Sequence, residues 1–127
     1  MAVSHHSGAL LASSYPLPRG PRVTLRLVRG RDLPGIRELA RRAGADLDEL
    51  ALVRLVNFDL RARIVMGATA LVGTAETVVG AGAIELDAPD PAPSRLIVDE
   101  ELTGGLAPLL TEALVAHAAA LARARVA

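Results

Sequence analysis

Three groups of residues in this 127-residue chain could take part in chemistry. The first is Asp99-Glu100-Glu101-Leu102-Thr103-Gly104-Gly105-Leu106-Ala107. A short apolar run, Leu96-Ile97-Val98, leads into it, and a helical pattern leads out. A paired-glycine turn that opens a helix leaves backbone N–H groups without intrahelical partners at the positive end of the helix dipole. Such a place suits an anion, phosphate above all. A plain strand–turn–helix junction would use the same glycines, so the string by itself argues an element more than a function. The second group is Glu85, near the end of a strand-like run, where partial burial would suit a general base. The competing reading is a solvated carboxylate at a strand end. The third is His117, set mid-helix among alanines, a possible base with no recognisable partner and so read as structural. Glu100 and Glu101 flank the glycine turn and would repel an anion if they pointed inward; they are read as solvated. His5 and His6 are adjacent in a polar lead, and no metal site is expected there.

Composition narrows what these residues can belong to. Apolar residues make up 51% of the chain and aromatics only 2%, so the core must be built of Ala, Val, Leu and Ile. Fourteen basic residues balance fourteen acidic ones, which gives no reason to expect nucleic acid as a partner. Cysteine is absent, which rules out disulfides, thiolate catalysis and cysteine-held metal. No continuous apolar run reaches the roughly 18 residues of a membrane span, and the first twenty residues do not read as a signal peptide. The expectation is one soluble, cytoplasmic domain with no membrane partner.

The elements that must position the candidate residues are legible in outline. Residues 1–21 read as a disordered lead that contains the one tyrosine, Tyr15, and residues 22–127 as a single domain. Val23, Leu25 and Leu27 alternate with other side chains over Arg22–Arg29, which predicts a strand with one buried face. Asp32 is placed to cap a helix with Pro34 in its first turn, a stripe of Leu33, Ile36, Leu39 and Ala40, and Gly44 as its stop. A second helix is expected over Asp46–Val56, with acidic residues at its start. Arg63–Val72 and Thr77–Leu86 read as the two arms of a hairpin turning at residues 73–76. Gly80 and Gly82 weaken the returning arm and suggest a bulge or the close approach of another backbone. A proline-rich loop, Asp87–Pro93, precedes a short strand, Arg95–Val98. The last helix is expected from Pro108 to about Arg123, with Leu109, Leu110, Ala113, Leu114, His117 and Leu121 on its apolar side. The order β-α-α-β-β-β-α implies a mixed sheet with helices packed on it, class α/β or α+β.

Order and local strings together resemble the Gcn5-related N-acetyltransferase (GNAT) family. Val23–Leu39 is similar to the family's opening strand and first helix, Val78–Leu86 to its third strand, and Ile97–Leu114 to its fourth strand, pyrophosphate loop and third helix. The family's loop carries Gln or Arg, two residues, Gly, one residue, then Gly or Ala. Here Gly105 and Ala107 match, and Leu102 stands where the polar side chain should be. The resemblance implies acetyl-CoA as co-substrate, held by Val98, Thr103 and the backbone donors of Gly104, Gly105, Leu106 and Ala107. Pro108 has no N–H to offer. It also implies transfer of the acyl group from a CoA thioester to an unidentified amine. The family's usual fourth-strand glutamate would align near Pro93 or Ser94, where no carboxylate stands. This leaves Glu85 as the candidate base.

The resemblance ends after the third helix. The expectation is therefore a sheet lacking the family's later strand–helix–strand part. Two readings stand side by side: an acetyl-CoA-dependent N-acyltransferase of reduced catalytic equipment, and a non-catalytic module for dimerisation, partner binding or acyl-CoA binding. On either, Arg95–Val98 and the last helix are expected at the contact of a homodimer or with a partner chain.

Overall fold

The period-two alternation of Val23-Thr-Leu-Arg-Leu27 produces a strand whose Val23 and Leu25 are fully buried. The computed structural model describes residues 13–17, 21–87 and 92–126. Within them the chain runs β1 (Ser13–Tyr15), β2 (Val23–Leu27), a 3-10 turn (Gly30–Asp32), α1 (Leu33–Ala43), α2 (Glu49–Val56), β3 (Arg63–Val72), β4 (Ala75–Glu85), β5 (Pro93–Val98) and α3 (Leu106–Val126). The five strands lie side by side in chain order, each antiparallel to the next. The class is α+β, as expected. The sheet is antiparallel throughout rather than mixed, because each strand returns beside the one before it.

β1 is a correction to the disordered lead. Ser13, Ser14 and Tyr15 pair with Leu25, Thr24 and Val23, and Leu17 is buried behind them. Without β1 the outer edge of β2 would present a row of unpaired backbone groups. Three residues are too few to show a period, so nothing in the string announces the strand. Residues 1–12 and 18–20, with His5 and His6 among them, lie outside the described residues, as do residues 88–91 of the proline-rich loop.

α1 and α2 begin by different means. Asp48 caps α2, accepting a 2.8 Å hydrogen bond from the Ala51 N–H. Asp32, expected to cap α1, does not. Its buried carboxylate turns back to the Arg29 N–H (2.8 Å) and to both terminal nitrogens of Arg26 (2.8 and 2.7 Å). The bidentate charge pair outcompetes a neutral amide. Gly44, at φ 70, ends α1, and the Ala45 N–H reaches back to the Ala40 carbonyl at 2.9 Å.

The hairpin is tighter than the sequence suggested. Val72 pairs with Ala75, so only Gly73 and Thr74 form the loop, with Gly73 at φ 66. That positive φ at the first loop position matches the right-handed twist of the strands. Helices cover both faces of the sheet, so β3 is buried continuously from Ile64 to Ala70. α1 and α2 enclose one core with Val65, Ala81, Ala83 and Ile97. α3 encloses the other, setting Leu106, Leu110, Leu114 and Ala118 on Ile64, Met66, Val79 and Ile84. Leu106–Ala124 is long and apolar enough, by length and composition, to cross a membrane. Its leucines Leu106, Leu110 and Leu114 are fully buried on the sheet. The last helix, expected to offer its apolar side to a second copy, therefore spends that side on its own sheet: Leu110 and Leu114 are wholly covered and Leu109 partly so.

Gly80 and Gly82 acquire a specific reason. The β3–β4 register shifts between Ala68 and Thr69, leaving Val79 as an extra residue on β4. A Cβ on Gly80 would lie 2.7 Å from Leu106 Cδ2, and one on Gly82 would lie 2.8 Å from Leu114 Cδ1. The closest approaches are made by leucine side chains, Leu106 and Leu114 of α3 and, at Gly82, also Leu96 of β5 (2.9 Å), with the Arg95 carbonyl oxygen of β5 further off at 3.4 Å.

Candidate functional site

The junction between β5 and α3 is built around Asp99. Its N–H donates to the Val79 carbonyl (2.9 Å), extending the β4–β5 ladder by one residue to the bulge. Its carbonyl accepts from the Thr103 hydroxyl (2.6 Å) and the Thr103 N–H (3.0 Å), and its carboxylate accepts from the Leu102 N–H (3.2 Å). Asp99 thus ties down the turn from Glu100 to Thr103. Arg42, at the end of α1, donates to the other carboxylate oxygen (3.0 Å) and to the Val78 carbonyl (2.8 Å). One guanidinium therefore joins α1, the bulged strand and the turn. Arg42 was not among the residues singled out from the sequence. Asp99 and Leu102 show the three-residue spacing of an aspartate turn, but Arg42 lies 57 positions from Asp99, with no local signal.

The cradle is smaller than four donors. Leu106 begins α3, two residues before the expected start at Pro108, and its N–H donates to the Thr103 carbonyl (3.2 Å). Its side chain is buried against Gly80. Thr103 is fully buried with its hydroxyl turned inward. Gly104 forms an isolated bridge. The N–H groups of Gly105 and Ala107 have no acceptor among the described residues. Gly105, at φ 91, holds a backbone form that side chains disfavour. Beside the turn, Arg42, Ala43, Val98, Asp99, Glu100 and Glu101 line an open cleft of about 380 Å³. Glu100 and Glu101 are exposed, as expected, and give its mouth negative charge.

Val98 leads into this turn along an open strand edge. β5 is the last strand in the sheet, so no described strand covers its outer side. The Asp99 N–H points to β4, and donors alternate along an antiparallel strand. The N–H groups of Val98 and Leu96 consequently point outward.

Glu85 lies elsewhere. Both its oxygens accept from Arg63 Nε (3.1 and 2.9 Å), and Oε2 also accepts from the Ser94 hydroxyl (2.8 Å). These bonds tie the Glu85 carboxylate to β3 and β5. It stands near the start of β5, the far end from the glycine turn. His117 is half-buried on α3, and loss of water there lowers its pKa from the ordinary value. The structure brings neither Glu85 nor His117 to the turn. Among the described residues, no three His, Asp or Glu side chains gather as a metal site would need.

Among solved structures, the chain resembles the crystal structure of the GNAT domain of S. lividans PAT, with a TM-score of 0.68. The likeness covers 84% of this chain and 71% of that one at 16% sequence identity, which establishes a GNAT-like fold. No protein-family model matches the chain, and no curated protein matches it.

Proposed function

We propose that this domain binds an acyl-CoA thioester, acetyl-CoA first among them, and presents the acyl group to an amine as GNAT-type N-acyltransferases do. One observation carries the reading. The outward N–H groups of Leu96 and Val98 on β5 and the acceptor-free N–H groups of Gly105 and Ala107 at the head of α3 stand on either side of one turn, residues 99–104, whose Asp99, Leu102 and Thr103 N–H groups are already paired. Pantetheine carries two amides and can pair with an open strand edge as an added strand would. The pyrophosphate then falls at the helix N-terminus, where the dipole favours it. In the transfer, the amine nitrogen forms a bond to the thioester carbonyl carbon, the C–S bond breaks, and the thiolate leaves. An outward N–H of β5 is the donor available to the developing oxyanion. The amine proton passes to water, since Glu85 is committed to Arg63 and Ser94.

That commitment favours a second reading, a module that binds without turning over. Leu96, on the open edge, and Val115, on the outer face of α3, are both exposed and offer contacts for a second copy. Calorimetric titration with acetyl-CoA and with free CoA tests the first reading. Saturable one-to-one binding, weakened at least about tenfold by Gly105→Asp, is expected. Absence of heat with either ligand sinks it. Binding without thioester cleavage in the presence of amines selects the second.

A further inference from the structure

We propose that the cleft between α2 and the paired ends of β4 and β5 is a binding site for an oxyanion, a carboxylate or phosphate group carried by a small molecule. It is distinct from the glycine turn and does not depend on CoA binding there.

Strand alternation assembles it. Arg63 stands opposite Glu85, and Ala83 opposite Arg95, and the period of two puts all four on the sheet face that α1 and α2 cover. α2 brings Arg54 to the rim. The result is a cleft of about 240 Å³ lined by Arg54, Arg63, Glu85, Ser94 and Arg95. A second cleft of about 290 Å³, lined by the segment that follows α2, shares Arg54, Arg63 and Glu85. Asp59, on the wall of that second cleft, is held by Arg61 at 3.3 Å.

Charge decides what fits. Three guanidiniums line the first cleft against one carboxylate. Glu85 is already engaged by neighbours: it accepts from Arg63 Nε and from the Ser94 hydroxyl. Those bonds hold Arg63, which lines the cleft, by its inner nitrogen, and its two terminal nitrogens have no partner among the described residues. Neither Arg54 nor Arg95 pairs with another described residue. The cleft therefore gathers cations in excess, in a recess sized for a small molecule. An oxyanion relieves their mutual repulsion and accepts planar, paired N–H donors, which is the geometry arginine offers best. The chain as a whole carries no net charge, so the excess is local to this cleft and not a general polyanion surface.

The test is NMR titration of the arginine Nε–Hε signals at low ionic strength. Inorganic phosphate and succinate are the two probes, and sodium chloride at matched ionic strength is the control. Saturable shifts of Arg54, Arg63 and Arg95 with at least one probe, and none with chloride, are expected; the probe that saturates first separates phosphate from carboxylate. Both Arg54 and Arg95 are exposed, so Arg54→Ala/Arg95→Ala should fold normally and bind the probe at least about tenfold more weakly. Shifts that match the chloride control, or a double variant with unchanged affinity, overturn the site. So does a response to heparin with none to either small probe. CoA affinity measured on the same double variant separates this site from the acyl-CoA reading. If CoA binding falls there and survives Gly105→Asp, the oxyanion site stands and the glycine-turn placement fails.

Discussion

Replacing Gly80 with alanine should destabilise the domain through one identifiable contact. The new Cβ would lie 2.7 Å from Leu106 Cδ2, 3.5 Å from Leu106 Cγ and 3.6 Å from Ala68 Cβ. Carbon atoms rest at about 3.5–4.0 Å, so the Leu106 methyl must retreat by roughly 1 Å. It has little room, because Leu106 is fully buried at the first position of α3. Overpacking of this kind costs about 1–3 kcal/mol, and replacing glycine in a strand returns about 0.5–1 kcal/mol. A net loss of about 1–2 kcal/mol follows, read by urea unfolding with the slope unchanged. The decisive assay is a double-mutant cycle with Leu106→Ala. That variant alone should cost about 2–5 kcal/mol, since it empties a packed site. In the pair, the Gly80→Ala methyl enters the space that Leu106 vacates. The two losses should then sum to about 1 kcal/mol more than the double variant shows. Additivity within about 0.5 kcal/mol, or a Gly80→Ala protein as stable as the parent, would refute the seating of α3 on this glycine.

Three further outcomes are expected. The Arg26 guanidinium, hydrogen-bonded to Asp32, holds that carboxyl below its ordinary 3.8. A depressed folded value contributes stability above the unfolded value that is lost as pH falls through the folded one, so Asp32→Asn should flatten the acid limb of the stability curve below 3.8. Asp48→Ala removes the 2.8 Å cap on α2 and should cost about 0.5–2 kcal/mol in thermal or urea unfolding, with Asp48→Asn restoring most of it. A homodimer through β5 and the outer face of α3 should give about twice 13.2 kDa by light scattering, and Leu96→Lys, on the open edge, should shift it to monomer. A 13.2 kDa particle at high protein concentration removes the dimer.

Period and punctuation carried most of the elements. The alternation of β2, the stripe of Ile36, Leu39 and Ala40, the αL glycine at Gly44 and the hairpin of β3 and β4 are all local, and local patterns report directly on φ, ψ and burial. The strand–turn–helix string at Asp99–Leu106 was likewise legible, glycines included. What tertiary structure decided is which partner each polar group found. Asp32 is a sound helix cap by position, yet Arg26 across the turn takes both its oxygens. Leu106 supplies a backbone donor by position, yet Thr103 accepts it. Glu85 sits where a base could sit, yet Arg63 from the neighbouring strand and Ser94 from the next occupy it. β1 exists because β2 had an edge to pair, and Arg42 reaches Asp99 only because α1 lies over the bulge. Backbone periodicity is written along the chain. Competition for a charge or a hydrogen bond is settled between elements, by distances that no spacing in the sequence records.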